Sequence, residues 1–379
     1  MKREFMKVPV CEPSIGEKEL ANVMDAVKSG WISGYKGRYI TEFENRFAAY
    51  CGAKYAVTTT SCATAMLLAL ETMGIKKGDE IVTTDFTMIA TLAAIIRAGA
   101  KPVLVDIDPD TWCLDVDQLK TAINRNTVAI MPVPIYGHPV DGNAIKSLAE
   151  KNSLTVIEDA AEAIGSEYSV GRKVGSLFDA TCFSYYINKT LQTGEGGMIT
   201  TNNESFADKA RRMKSYDTDP ENRFIHQNLG FNFRMTNVTA AIGCAQMDNI
   251  EHFVAMKRAI ANKYFKRLEK HTDLKMPVEI DDCKNSFWVF GMLVKDHAKV
   301  SRDQLVDKLA KMGVETRRFF VPMHKQPALL RLGLFKGEEK MYPVADRVSR
   351  QGLYLPNGVN LTVKQIDYVC DCIEEILNG

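Results

Sequence analysis

Between residues 55 and 201, short runs rich in β-branched residues alternate with stretches whose apolar positions recur every three to four residues. Residues 55–59, 80–84, 102–106, 127–133, 154–159, 181–185 and 197–201 read as strands, and 64–73, 88–98, 116–123 and 141–151 as helices between them. A strand–helix alternation of this kind predicts an α/β fold: a mostly parallel sheet covered by helices, in three layers.

The flanking sequence follows other patterns. Residues 16–28 place Leu20, Val23, Met24 and Val27 on one helical face. After a helix around 206–214 comes a polar stretch at 215–228, then a single long helical pattern from 236 to about 270. A strand at 286–294 and helices at 302–312 and 363–377 complete a smaller α+β unit. Because 379 residues exceed what one core usually holds, two domains are expected, a large one over 1–245 and a small one over 246–379.

Charge narrows the partners. Forty-eight basic and 47 acidic residues leave a formal charge of +1 with no long run of one sign, so neither nucleic acid nor an acidic membrane surface is expected. Nine irregularly spaced cysteines argue against a disulfide framework and for a reducing cytoplasm. Cys370 and Cys372 form a lone C-x-C without further ligands, so no metal site is expected. No apolar stretch of signal-peptide or membrane-spanning length occurs, and the expectation is a soluble intracellular protein.

The chemistry-bearing segment is Phe183-Ser184-Tyr185-Tyr186-Ile187-Asn188-Lys189, followed by Gly194-Glu195-Gly196-Gly197. A strand ends, a lysine follows in the loop, and glycines let the chain turn beside it. A loop lysine alone is usually a solvated charge. Upstream, however, Val156-Ile157-Glu158-Asp159 ends a strand in a carboxylate at the edge where open parallel sheets bind ligands. That Asp could merely cap a helix, or it could keep a pyridinium nitrogen protonated. Thr59-Thr60-Ser61-Cys62-Ala63-Thr64 supplies small and hydroxyl residues at a helix N-terminus, an ordinary cap or a phosphate cradle. The three features in this order are more specific than any one.

In these residues the chain resembles the fold-type I pyridoxal-5′-phosphate (PLP) enzymes, and among them the DegT/StrS-like sugar-nucleotide aminotransferases. The resemblance also covers Gly30-Trp31-Ile32-Ser33, Gly78-Asp79-Glu80-Ile81 and Leu229 to Asn237. It implies that Lys189 forms a Schiff base with the cofactor and later moves a proton, and that Asp159 pairs with the pyridine nitrogen. It also implies that Ala63, Thr64 and Ser184 hold the phosphate and that Asn232 reaches it from the second subunit of a homodimer. Met88 stands where an aromatic ring commonly stacks on the cofactor, and Glu162 where relatives carry His or Gln near its 3′-oxygen.

Four strings, 30–33, 136–141, 158–163 and 316–324, are most like the branch that aminates GDP-4-keto-6-deoxymannose with L-glutamate, releasing 2-oxoglutarate. Ser33, Arg317 and His324 are the expected substrate contacts, with the arginine suited to a diphosphate. The dehydratase branch of this fold has His in place of Lys189. A dinucleotide oxidoreductase would carry G-x-G-x-x-G after the first strand, which is absent here. A regulatory protein that kept the fold but lost the chemistry is the remaining class, and it would be expected to lose Lys189 or Asp159.

Overall fold

The computed structural model describes residues 4–35, 37–219, 221–222, 224–338 and 341–379; Pro220 and Arg223 of the polar stretch lie outside them. Strands β1 (Tyr55–Thr59), β2 (Glu80–Thr84), β3 (Lys101–Val105), β4 (Thr127–Met131) and β5 (Thr155–Asp159) are followed by a small hairpin, β6 (Glu167–Ser169) and β7 (Arg172–Lys173), then by β8 (Ala180–Ser184) and β9 (Gly197–Thr201). Seven of these form one sheet in the order β1-β9-β8-β5-β4-β2-β3. The sheet is parallel from β3 to β8, whereas β9 runs antiparallel to both neighbours. A parallel β9 would need a crossover, and the short loop from Ser184 to Gly197 allows a reversal instead.

Period-two burial drives the layering. Ile81, Ala129, Ile157, Cys182 and Ile199 pack with Met66, Leu70, Ile95 and Phe206 on one face. Their neighbours turn to the other side, where Val82, Ile130 and Val156 meet Leu119 and Ile145, and Phe183 and Met198 meet Phe43 and Phe47. Strands buried on both faces read as continuous apolar runs, which is why the sequence shows them plainly.

A second sheet, β10 (Leu274–Lys275), β11 (Phe290–Val294), β12 (Arg317–Arg318) and β13 (Gly352–Leu355), has the order β10-β11-β13-β12 and is antiparallel throughout. Its core joins Tyr264, Phe290, Leu305 and Ile373, with Val8 from the start of the chain added by pairing to the Gly313–Glu315 backbone.

The helix expected from 236 to about 270 is two helices, Asn237–Met247 and Ile250–Leu268. Apolar periodicity continues through the break, but Asp248 and Asn249 interrupt it. Asn249 leaves helical geometry at φ −110°, ψ 5°, and the Asp248 carboxylate accepts from Arg46 at 2.5 Å. Short polar side chains of this kind compete with the helix backbone. Among the described residues, no helix is long and apolar enough to cross a membrane.

Candidate active site

At the carboxyl edge of the large sheet, β5 ends in Asp159, which is 4% exposed. Its Oδ2 accepts from Thr91 Oγ1 at 2.7 Å, and its Oδ1 from Cys62 Sγ at 3.6 Å and the Ala161 N–H at 3.3 Å. Burial pushes the carboxyl above its ordinary value, and the Thr91 hydroxyl, the Ala161 N–H and the Lys189 charge pull it back. The result is a fixed, dry carboxylate whose stability as an ion depends on a cationic partner.

Lys189 lies in the loop after β8. Its Nζ is 3.6 Å from the centre of the Trp288 ring and 3.7 Å from Glu162 Oε1. Trp288 Nε1 donates to the Asn188 carbonyl at 2.8 Å and so pins the loop as well as covering the amine. Glu162 Oε2 accepts the Tyr136 N–H at 2.8 Å. Burial lowers the Lys189 ammonium, opposed first by Glu162, and pushes the Glu162 carboxyl up to about 7. Both groups are thus biased toward their neutral forms, which suits an amine that must act as a nucleophile.

The third element is the start of helix Cys62–Met73. Ser61 caps it, accepting from the Thr64 N–H at 3.2 Å. The N–H groups of Cys62 and Ala63 find no acceptor among the described residues, so the helix offers two free donors at its positive end. Gly197 makes this approach feasible. It pairs with Thr59 on one side and Ser184 on the other, and a Cβ there would lie 2.4 Å from the Ser61 carbonyl carbon and oxygen. An amine, a buried carboxylate and a helix start with two free N–H groups and Thr64 in its first turn are a donor set that fits PLP, with Ser184 nearby across Gly197 in the sheet. Met88, half-exposed, stands just before helix Ala90–Arg97, which carries Thr91.

Of the other expected residues, Ser33 and Asn232 come together, but in a separate cleft of about 960 Å³ with Arg211, Arg212 and Arg234. Arg317 lines a pocket of about 200 Å³ beside Asn188 and Trp288, and pairs with Glu315 at 2.5 Å. His324 was expected to face a sugar and does not. Its side chain is fully buried, with Nδ1 2.7 Å from Asp85 Oδ2 and the ring 5.0 Å from that of Tyr342. The Asp85 carboxylate also accepts the His324 N–H at 2.8 Å, so the histidine ties the loop after β12 to the end of β2. Sequence reading passed over Trp288 and Thr91. Thr91 lies one turn beyond Met88, a usable signal, whereas nothing near Trp288 in the chain points to a lysine some 100 positions earlier.

Residues 13–374 match the DegT/DnrJ/EryC1/StrS aminotransferase family. A GDP-perosamine synthase of Escherichia coli O157:H7 is 37% identical over 97% of this chain and 98% of its own. A dTDP-3-amino-3,4,6-trideoxy-alpha-D-glucose transaminase of Micromonospora megalomicea is 32% identical, covering 96% of each. Among solved structures, S. venezuelae DesV superposes with a TM-score of 0.89 at 30% identity, over 95% of this chain and 94% of that one. Together with the lysine, carboxylate and anion cradle at one sheet edge, these matches show that the chain belongs to the DegT/DnrJ/EryC1/StrS family and is a PLP-dependent sugar aminotransferase.

Proposed function

We propose that this enzyme moves the amino group of L-glutamate onto the 4-keto carbon of GDP-4-keto-6-deoxymannose, giving GDP-perosamine and 2-oxoglutarate. The observation that carries the substrate is full-length likeness to GDP-perosamine synthases from three organisms at 35–37% identity, against 32% for the dTDP-sugar transaminase. An acceptor on dTDP or UDP is the second reading, and the 32% identical transaminase supports its dTDP form.

When bound, PLP supplies an electron sink for proton removal at the donor's Cα. In this reading the Lys189 Nζ holds the cofactor and, once displaced, carries the proton away from that carbon. Asp159 keeps a proton on the ring nitrogen, and the Thr91 hydroxyl, 2.7 Å from its Oδ2, fixes the carboxylate in place. Glu162 balances the charge that appears at Nζ, 3.7 Å away, while the Trp288 ring shields it from water. The free N–H groups of Cys62 and Ala63, with the Thr64 and Ser184 hydroxyls, take the phosphate.

Ser33 and Asn232 face a cleft apart from Lys189. In this reading they complete the site of a second copy, in a homodimer that works in the reducing cytoplasm suited to nine free cysteines. The test is incubation with PLP, L-glutamate and GDP-, dTDP- and UDP-linked 4-keto-6-deoxy sugars, with product mass followed. The GDP sugar is expected to show the highest kcat/KM; a higher value for either other base overturns the assignment.

A further inference from the structure

The pocket of about 200 Å³ beside the Lys189 loop has a chemistry that the steps above do not use. Asn188, Lys257, Trp288, Arg317, Tyr354 and Asn357 line it. Lys257 is 3% exposed, and its Nζ donates to the carbonyls of Trp288 at 3.1 Å and Asn357 at 2.5 Å, leaving one N–H. Arg317 reaches the pocket from β12 with its guanidinium half-exposed, one side held by Glu315. Opposite in character, Asn188 Oδ1 and Asn357 Oδ1 are sealed from water and have no hydrogen-bond partner among the described residues. Sealed in this way, the two oxygens do not open onto the pocket, whose accessible charged groups are the two cations.

The pocket therefore offers two cations, Arg317 and Lys257, with no carboxylate among its lining residues. A nucleotide sugar is too large for it, since pockets for larger ligands start at roughly 300 Å³. The side-chain carboxylate of a dicarboxylic amino acid supplies what is missing. Its location is also suitable. Asn188 adjoins Lys189 in the chain, and the Trp288 ring that lines the pocket carries the Lys189 amine 3.6 Å from its centre.

We infer that this pocket docks the amino donor, with Arg317 and Lys257 binding its side-chain carboxylate beside the Lys189 loop. Arg317 is thereby a donor-specificity residue rather than a diphosphate contact. The inference rests on the aminotransferase reading with L-glutamate as donor.

The two half-reactions separate the possibilities. With PLP-loaded enzyme and L-glutamate alone, the change in cofactor absorbance reports donor use; with amine-form enzyme and the keto sugar, it reports acceptor use. Arg317→Gln is expected to raise the half-saturating glutamate concentration at least tenfold and to change the sugar half-reaction less than twofold. On the unaltered enzyme, glutarate, which lacks an amine, is expected to compete with glutamate at the same concentration at which it binds by calorimetry. An unchanged glutamate half-reaction in Arg317→Gln, or an equal loss in both halves, overturns the inference. So does glutarate that fails to compete with glutamate. If L-glutamate leaves the absorbance unchanged while another amino acid converts it, the glutamate reading fails. Calorimetry then decides the pocket: glutarate binding weakened tenfold by Arg317→Gln keeps it, and undiminished binding overturns it.

Discussion

Gly197→Ala perturbs the site without touching a charged group. Gly197 opens β9 between Thr59 and Ser184, against the backbone that begins helix Cys62–Met73. A Cβ added there meets the Ser61 carbonyl carbon and oxygen at 2.4 Å and the Cys62 nitrogen at 2.7 Å, whereas ordinary contact begins at 3.4 Å. Backbone lies on both sides, so β9 or the cradle must retreat by about 1 Å. Overpacking of this kind costs about 1–3 kcal/mol, and a 1 Å misplacement of catalytic groups can cost roughly 100-fold in rate. The expected result is a Tm lower by several degrees, weaker PLP binding in a fluorescence titration, and turnover reduced roughly 100-fold. Gly74→Ala, at the far end of the same helix, is the comparison. That glycine has φ +82° and open space around it, so alanine there costs about 1–2 kcal/mol of backbone strain with cofactor affinity unchanged. Equal PLP affinity in both variants would refute the reasoning.

Three further outcomes follow from the geometry. Asp159→Asn should fold normally and still bind PLP but lose at least about 100-fold in kcat, roughly 2.7 kcal/mol of transition-state stabilisation; near-normal turnover would reduce Asp159 to a structural role. Glu162 releases its proton near 4.5 when unfolded and at about 7 when folded, so the folded state binds more protons between those values and stability falls as pH rises. Urea unfolding of cofactor-free protein at pH 5 and pH 8 should therefore show a loss on the order of 3 kcal/mol that is absent in Glu162→Gln, and parallel behaviour of the two proteins would contradict the assignment. Mixing Lys189→Ala with Asn232→Ala subunits should recover part of the activity that each alone lacks, and no recovery would argue against shared sites.

The large sheet was legible because its strands are buried on both faces, so they appear as short runs of apolar and β-branched residues. That the helix start at Ser61, the strand-end Asp159 and the loop Lys189 meet was legible for a related reason: parallel strands deliver their ends to one edge. Contacts that depend on the second sheet were not. Trp288 reaches Lys189 only through the packing of β11 beside the Lys189 loop, and no local pattern records that. His324 was misread because its polar, arginine-rich surroundings look like a ligand site, while Asp85, the partner that buries it, lies 239 positions away. The helix break at Asp248–Asn249 escaped notice because apolar periodicity runs through it, and only the two short polar residues mark the interruption.

The central claim is that Lys189 is the residue that holds the cofactor, and it is tested most directly by mapping where PLP becomes fixed. Protein loaded with PLP and reduced with borohydride should yield, after proteolysis and mass spectrometry, one phosphopyridoxyl-labelled peptide, with the label on Lys189. Lys189→Ala should give none. Label on Lys257, the buried lysine whose ammonium burial lowers to about 8, or no label on the unaltered protein, would contradict the account.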